Sequence, residues 1–221
     1  ELLAVAIRVG RLEHPGDVGE PLVVDQQAER LESERAVPQG GVAIDPAAEP
    51  SIQAFCVPIV YLDRDTVGLV EDGYGLTITT VVVKPKSRGY VRLRSADPHD
   101  MPLVSPHLLS DPADMRTMIA GQRFFLRAFT TPPLAERISA VSIPAPGDLS
   151  DDALARHCRR FVKTNYHPSG TCRMGPAGDP LAVLDSRLRV RGIEGLRVCD
   201  LSAMPDINAG NTAAPAMMAT A

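Results

Sequence analysis

Apolar residues recur at helical spacing across residues 115–129 of the chain. The apolar side chains return every three or four positions, and on this face only Gln122 interrupts them, which predicts a helix with one buried face. Ser110 or Asp111 can cap the start of this helix, and Pro112 stands where a first-turn proline is tolerated. We therefore expect an amphipathic helix that ends at the prolines after residue 129.

Two further helices are predicted in the C-terminal part of the chain. One starts at Ser150, where Asp151 and Asp152 place negative charge at the positive end of the helix dipole. The other follows Thr212 and carries Pro215 near its start. The expected buried stripe of the first of these helices is Leu154, Cys158, Phe161 and Val162.

The clearest strand pattern lies in residues 75–95. This stretch is rich in Val, Ile and Thr and is interrupted at Pro85 and Gly89, which predicts two strands joined by the turn "KPKSRG". The other predictions are strands at 1–10, 51–62 and 196–200, a polar connector at 25–41, and irregular chain at 95–109.

Composition limits the classes of function that the chain can have. Of its 221 residues 44% are hydrophobic and 4% are aromatic, with no Trp, so the predicted core is mostly aliphatic. The formal net charge of −4 argues against a nucleic-acid partner or a polybasic membrane surface. No apolar run reaches the length of a membrane span.

Four cysteines are spread along the chain without any CxxC pair. This spacing argues against a zinc ribbon, and we expect no metal site. Free thiols are the default in a reducing compartment, so a cytoplasmic location is expected. The first residue is Glu1 rather than Met, and secretion signals therefore cannot be judged from this sequence.

The stretch "NYHPSGTCRMG" (165–175) is the first candidate for chemistry. Pro168 disfavours helical backbone at His167 and pushes it toward an extended conformation. Gly170 and Gly175 allow tight turns or the close approach of a large flat ligand. A histidine held in this way is suited to act as a general base, although a structural histidine in a loop has the same pattern.

Two further candidates follow along the chain. "LRVCD" is an apolar strand pattern that ends in Asp200, and ligands bind at the carboxyl ends of strands in open α/β sheets, although such aspartates also form turns. Asn211 and Thr212 precede a predicted helix, whose free N–H groups favour negative charge such as that of a reduced flavin. An ordinary helix cap explains these two residues equally well.

Taken together, these motifs resemble the glucose–methanol–choline (GMC) family of flavin oxidoreductases. The terminal motifs are the most specific part of the resemblance, which covers about residues 75 to 221. The matching stretches are "KPKSRGYVRLRSADP" (84–98), "HPSGTCRMG" (167–175), "GLRVCDLSAMP" (195–205) and "NAGNTAAPAMM" (208–218).

The resemblance implies a role for each residue of the candidate site. His167 matches the family's catalytic base, and Asn211, 44 positions later, matches a second His or Asn that donates to the substrate oxygen. Asp200 matches the strand-end aspartate that contacts the FAD cofactor. Leu201, Asn211 and Thr212 would also bind the cofactor, Leu201 and Thr212 through their backbone. Asn165 and Tyr166 would bind the substrate. The loop itself would be braced by Thr171, Cys172 and Arg173.

The function that the resemblance implies is FAD-dependent oxidation of a small-molecule alcohol to an aldehyde or ketone. His167 would take the hydroxyl proton while the carbon delivers hydride to flavin N5, and the final electron acceptor, oxygen or another, is left open. A hydroxynitrile lyase on the same fold would use the same histidine without net redox chemistry. A non-catalytic fragment or binding subunit is the other alternative.

The implied architecture is an α/β fold built from two regions. Residues 1–165 resemble the substrate-binding domain, with an antiparallel sheet backed by helices, and residues 1–50 are partly connector. Residues 166–221 resemble the catalytic loop and the returning segment of a Rossmann-like FAD-binding domain. The family's GxGxxG motif is absent, because "GYG" (73–75) is followed by Ile78 where the third glycine belongs. We therefore expect the N-terminal FAD-binding half on another chain or segment.

Overall fold

The computed structural model describes residues 2–9, 39–43, 50–57, 75–144 and 147–220. Seven strands and three α-helices lie in this described part of the chain. The strands are β1 (Leu2–Val9), β2 (Gln39–Val42), β3 (Ile52–Val57), β4 (Gly75–Val82), β5 (Tyr90–Arg92), β6 (Leu103–Ser105) and β7 (Ile138–Ile143). The helices are α1 (Pro112–Phe129), α2 (Asp151–Phe161) and α3 (Ala213–Thr220), with 3₁₀ turns at Leu134–Arg137 and Leu201–Ala203.

Five of the strands form one sheet in the order β2-β3-β4-β1-β7, and β5 pairs with β6 in a separate ribbon. The pairs β1–β7 and β2–β3 are antiparallel, and so is the ribbon. In the β2–β3 pair Gln39 lies opposite Phe55 and Val42 lies opposite Ile52. This antiparallel pairing agrees with the sheet predicted from the sequence.

The chain divides into two compact units. The sheet unit contains the described residues of Leu3–Val81 together with Thr117–Phe161. The loop unit contains Val82–Arg116 together with the chain from Val162 onward. The domain boundary predicted between residues 165 and 166 stays a prediction about the complete protein.

The core of the sheet unit forms where α1 and α2 pack against the sheet. Its buried centre consists of Ile52, Phe125, Leu126, Phe129 and Leu154. A Cβ added at Gly121 of α1 would lie 2.6 Å from Thr80 Cγ2, so helix and sheet approach closely at this glycine. Gln122, the polar interruption of the apolar face, is fully buried and donates to Thr80 Oγ1 at 3.1 Å. A hydrogen bond to β4 therefore satisfies the amide nitrogen of this side chain, whereas its Oε1 has no partner among the described residues.

Both predicted starts of the long helices are confirmed. The side chain of Asp111 accepts a hydrogen bond from Ala113 N at 2.7 Å at the start of α1. Ser150 Oγ accepts from Ala153 N at 3.3 Å at the start of α2. Each side chain satisfies an N–H group that has no partner within its helix.

The two strands predicted around "KPKSRG" are confirmed as β4 and β5, which do not pair with each other. β5 pairs instead with β6, which lies within the stretch predicted to be irregular. Backbone N–H groups of the turn are taken up by a side chain: Lys86 N and Ser87 N donate to the Asp114 carboxylate at 2.9 and 2.7 Å. Lys84 also has a positive φ of 52°, so the chain leaves the sheet direction at this point.

The strand predicted at 196–200 is wrong as well. In this stretch Arg197 forms an isolated antiparallel bridge with Arg189, and Leu196 is 47% exposed. An apolar strand of this type needs neighbours on both sides. No strand flanks it within the described residues.

Other predictions fall partly outside the described residues. The strands predicted at 1–10 and 51–62 are confirmed as β1 and β3 where the structure describes them. The predicted connector ends in β2 instead of loop, and its residues 25–38 lie outside the described part, as do the first two residues of "GYG" (73–75). Among the described helices, none combines the length and apolarity that crossing a bilayer requires.

Candidate active site

The His167 loop runs beside the 3₁₀ turn Leu201–Ala203 and is tied to it by backbone hydrogen bonds. The three bonds are Gly170 N to Leu201 O (3.1 Å), Cys172 N to Ser202 O (2.9 Å) and Met174 N to Ala203 O (2.9 Å). Every donor belongs to the loop and every acceptor to the turn. The donors are every second residue of the loop, and the acceptors are consecutive residues of the turn. The histidine motif and the segment that follows Asp200 are therefore held side by side.

The loop is braced from its C-terminal end. Arg173 Nη2 forms an ion pair with Asp179 Oδ2 at 2.5 Å. Arg191 donates to the carbonyl of Gly175 at 2.6 Å. A Cβ at Gly175 would lie 2.9 Å from Ala182 Cβ, so this glycine permits close packing within the loop itself. Cys172 and Arg173 thus act as the braces that the motif predicted, whereas Thr171 is exposed.

Two residues near His167 have left-handed backbone. Gly170 has a φ of +81°, a conformation that glycine adopts without a steric penalty. Tyr166 has a φ of 59°, which is uncommon for a residue with a side chain, and it is 81% exposed. Such strain persists where the surrounding structure imposes it, and it gathers at binding sites. The geometry presents the Tyr166 ring to solvent directly beside the histidine in the chain.

The imidazole of His167 meets the start of α3. Its Nδ1 lies 2.7 Å from the hydroxyl oxygen of Thr212, which is 3% exposed. Its Nε2 makes no hydrogen bond to any residue that the structure describes. The contact brings the histidine motif next to Asn211, which precedes Thr212 in the chain. Three of the predicted site residues are therefore in one place.

The turn that carries Asn211 has its own support. Asn208 Nδ2 donates to Gly210 O at 2.8 Å and to Asn211 O at 3.2 Å. These bonds fix the backbone immediately before α3, while the side chain of Asn211 is exposed. Sequence reasoning missed Asn208, although an asparagine before "AG" is a typical turn signal.

Asp200 caps the start of the 3₁₀ turn Leu201–Ala203, and its side chain is exposed. Its Oδ1 accepts from Ser202 N at 2.7 Å. Hydrogen bonds from the Ser202 side chain and backbone lower the pKa of Asp200, so the carboxylate is ionised near neutral pH. This is the turn-forming role that the sequence left open, and an ionised exposed carboxylate can also accept hydrogen bonds from ligand hydroxyls.

The "KPKSRG" segment contacts α1 through Asp114 and the segment before Asn211 through Asp206. Asp114, which is 3% exposed, accepts from Ser87 Oγ at 2.5 Å in addition to the two backbone N–H groups of the turn. Arg88 Nη2 pairs with Asp206 Oδ1 at 3.2 Å, and the same oxygen accepts from Ile207 N at 2.9 Å. No pattern in the sequence indicated this chain of contacts.

The other predicted site residues make no hydrogen bond to the imidazole within the part of the chain that the structure describes. Asn165 and Leu201 are half-buried. The four cysteines are free thiols, as expected, and burial raises the pKa of Cys158 to about 12, which leaves it unreactive. Within the described residues, no group of three or more His, Cys, Asp or Glu side chains could hold a metal ion.

Comparison with known proteins gives a consistent family. Residues 85–220 match the family described as GMC oxidoreductase. The chain is 43% identical over 169 residues to an alcohol dehydrogenase (acceptor) from Pseudomonas putida, covering 76% of this chain and 30% of that protein. The chain thus spans less than a third of the length of this relative.

Solved structures agree with the sequence relatives. Pyridoxine 4-oxidase from Mesorbium loti superposes with a TM-score of 0.73 at 26% identity, over 82% of this chain and 35% of that chain. A formate oxidase variant from Aspergillus oryzae RIB40, at 22% identity, shares the fold with a TM-score of 0.78, over 99% of this chain and 44% of that chain. The predicted α/β class and the predicted family are both confirmed, and this chain belongs to the GMC oxidoreductases, a family of FAD-dependent flavoproteins.

Proposed function

We propose that this chain supplies the catalytic side of an FAD-dependent oxidation of an alcohol to an aldehyde or ketone. The observation that carries the proposal is the 2.7 Å contact between His167 Nδ1 and Thr212 Oγ1. This contact holds an imidazole beside Asn211 and leaves Nε2 without a partner among the described residues. A base must have a nitrogen available to the substrate, and Nε2 meets that requirement.

The donor and acceptor groups of the site fit a flavin. Asp200 offers an ionised carboxylate that can accept bonds from ribityl hydroxyls. The first N–H groups of α3, after Asn211 and Thr212, have no partners within the helix and favour negative charge. We propose that Asp200, Leu201, Asn211 and Thr212 hold this cofactor. When bound, FAD would supply the hydride acceptor for the oxidation of the alcohol carbon.

The protein's own part in the reaction is to move one proton and stabilise one oxygen. His167 Nε2 takes the proton of the substrate hydroxyl. The Asn211 side-chain amide donates a hydrogen bond to the same oxygen, where negative charge develops. One such donor in a dry site is worth about 2.7–4 kcal/mol of transition-state stabilisation. Asn165 and Tyr166, beside His167, are proposed to contact the rest of the substrate.

The complete enzyme is proposed to need a further segment. We assign residues 1–165 to a substrate-binding domain and 166–221 to the catalytic loop and the returning segment of the FAD-binding domain. The sequence lacks a GxGxxG turn to seat the cofactor pyrophosphate. We propose that the N-terminal half, on another chain or segment, supplies this turn.

An anaerobic reduction experiment tests the proposal. The holoenzyme would be mixed without oxygen with a panel of primary and secondary alcohols, including ethanol, benzyl alcohol and cyclohexanol. We expect the visible absorbance of oxidised flavin to bleach while a carbonyl product appears. Cleavage of a cyanohydrin such as mandelonitrile without bleaching would overturn the proposal in favour of a lyase. Failure of the complete protein to bind flavin would overturn it in favour of a binding subunit.

The same experiment shows whether oxygen or another electron acceptor reoxidises the flavin. The relatives include both an alcohol dehydrogenase (acceptor) and a pyridoxine 4-oxidase. Oxygen admitted to the bleached sample restores the absorbance quickly in an oxidase. In a dehydrogenase, rapid recovery requires an added quinone or dye.

A further inference from the structure

The geometry points to Thr212 as a positioning residue that sets the tautomer of His167, with the ring proton on Nδ1 and a bare Nε2. This inference rests on the proposed function, because it concerns the base of that reaction. Its starting point is the 2.7 Å contact between Nδ1 and the Thr212 hydroxyl. A hydroxyl can donate or accept, so the contact has two possible arrangements.

The arrangement follows from what the base must do. A neutral imidazole carries one ring proton, and the nitrogen that accepts the substrate proton must lack it. Nδ1 is occupied by the hydroxyl and Nε2 has no hydrogen bond within the described residues. Nε2 is therefore the accepting nitrogen, and Nδ1–H donates to Thr212 Oγ1. With the proton on Nε2 instead, the alcohol would find no acceptor on this ring.

The surroundings of Thr212 suit this role. The residue is 3% exposed, so bulk water does not compete for its hydroxyl. Its β-branched side chain is stiff about χ1, and its backbone carbonyl accepts from Ala216 N at 3.0 Å, which anchors it to α3. Within the described residues its hydroxyl makes no hydrogen bond to an N–H group of α3, and Pro215, at the third position of the helix, has no N–H group. The hydroxyl is thus directed to the histidine instead of serving as a helix cap.

The same bond matters after the proton has moved. Once Nε2 has taken the substrate proton, both ring nitrogens are donors and the ring is cationic. Thr212 Oγ1 then accepts a charge-assisted hydrogen bond from Nδ1–H, which is stronger than the bond of the neutral ring. Removing the hydroxyl would leave a half-buried donor without this acceptor at the moment when it carries charge.

The test compares two substitutions that differ in one functional group. Thr212→Val keeps the shape of the side chain and removes the hydroxyl, while Thr212→Ser keeps the hydroxyl and removes the methyl group. In the holoenzyme we expect Thr212→Val to lower kcat about tenfold, the loss of one hydrogen bond, with KM little changed. We expect Thr212→Ser to recover most of this loss.

A second measurement reads the tautomer without turnover. Ring ¹⁵N resonances of histidine-labelled holoenzyme distinguish a protonated Nδ1 from a protonated Nε2, and His167→Gln identifies the resonances of His167. We expect Nδ1–H in the parent protein and in Thr212→Ser. In Thr212→Val we expect a shift of population toward Nε2–H. The parent spectrum keeps the test valid even if Thr212→Val fails to fold.

The outcomes separate this inference from the proposed function. If no alcohol bleaches the flavin, the proposed function fails. If alcohols bleach the flavin and His167→Gln abolishes this, but the parent ring carries its proton on Nε2, the inference alone is overturned. Equal kcat and equal tautomer populations in Thr212→Val and Thr212→Ser would overturn it as well.

Discussion

The sheet unit and the loop unit of this chain are stabilised by different interactions. The sheet unit buries large apolar side chains from two helices and a strand, among them Phe129, Leu154 and Ile52. In the loop unit, residues 162–220 bury few apolar side chains and are joined mainly by backbone and ionic hydrogen bonds. The difference indicates that substitutions in the sheet unit will report on stability, whereas substitutions in the catalytic loop will report on chemistry.

The largest expected effect is on turnover and comes from the loop unit. His167→Gln removes the proposed base, so we expect kcat to fall by about 10²–10⁴ while flavin content and melting temperature stay close to the parent values. Steady-state assays on the holoenzyme with an alcohol measure this. The matched control is His99→Gln, which changes an exposed histidine of the same unit and should leave kcat unaltered. Turnover at the parent level in His167→Gln would show that another group is the base.

A core substitution in the sheet unit should act on stability instead. Phe129 is 2% exposed, and its truncation to Ala should lower the free energy of unfolding by about 3–5 kcal/mol. Phe124 of the same helix is 37% exposed, so Phe124→Ala should cost clearly less. Denaturant titration of both variants gives the comparison. Equal losses would mean that burial does not govern stability in α1 as the structure implies.

Asn211 provides a graded test of the loop unit. Asn211→Leu removes the proposed donor to the substrate oxygen, which should raise the activation free energy by about 2.7–4 kcal/mol. Asn211→His keeps a donor and should retain much more activity, measured as kcat/KM for the same alcohol. Equal activity in Asn211→Leu and the parent would place the oxygen-stabilising group elsewhere.

The smallest effect is a pH dependence of stability in the loop unit. Hydrogen bonds from the Arg189 side chain and backbone lower the pKa of Asp185 to about 2. Because the pKa of the folded protein is depressed, the stabilisation is present above the ordinary aspartate pKa of about 4 and is lost as pH falls toward 2. Melting temperatures between neutral and acid pH, compared with those of Asp185→Asn, measure it. A parallel decline in both proteins would contradict the assigned cause.

The parts of the fold that depend on local pattern could be predicted from the sequence. The α1 helix begins and ends as its apolar periodicity and capping residues indicate. The strands on either side of "KPKSRG" were predicted, but their pairing was not, because β5 pairs with β6 and Asp114, 27 positions beyond Ser87, accepts hydrogen bonds from the backbone of the turn. The prediction of a strand at 196–200 was wrong for a related reason, since strand formation depends on neighbouring strands that a local pattern does not contain.

The candidate site shows the same division between local and distant information. The motif around His167 and its resemblance to a family identified the histidine, the aspartate and the asparagine. The hydroxyl of Thr212 was missed because its partner lies 45 positions away, and only the backbone of this residue had been given a role. The Arg88–Asp206 pair likewise joins residues 118 positions apart and leaves no periodic trace in the sequence, whereas the contacts of Asn208 are local and its turn signal could have been recognised.

The one-sided hydrogen bonding between the His167 loop and the 3₁₀ turn has a consequence for directed evolution. All three bonds use N–H groups of Gly170, Cys172 and Met174, and carbonyl oxygens of the turn. Proline at any of these three positions would delete a bond, because proline has no backbone donor. Carbonyl oxygens are common to every residue type, so the side chain of Leu201 can be varied without removing these three hydrogen bonds. A mutagenesis library aimed at substrate range can therefore diversify Leu201, while Ser202 is kept because it donates to Asp200 and the codons for the loop exclude proline.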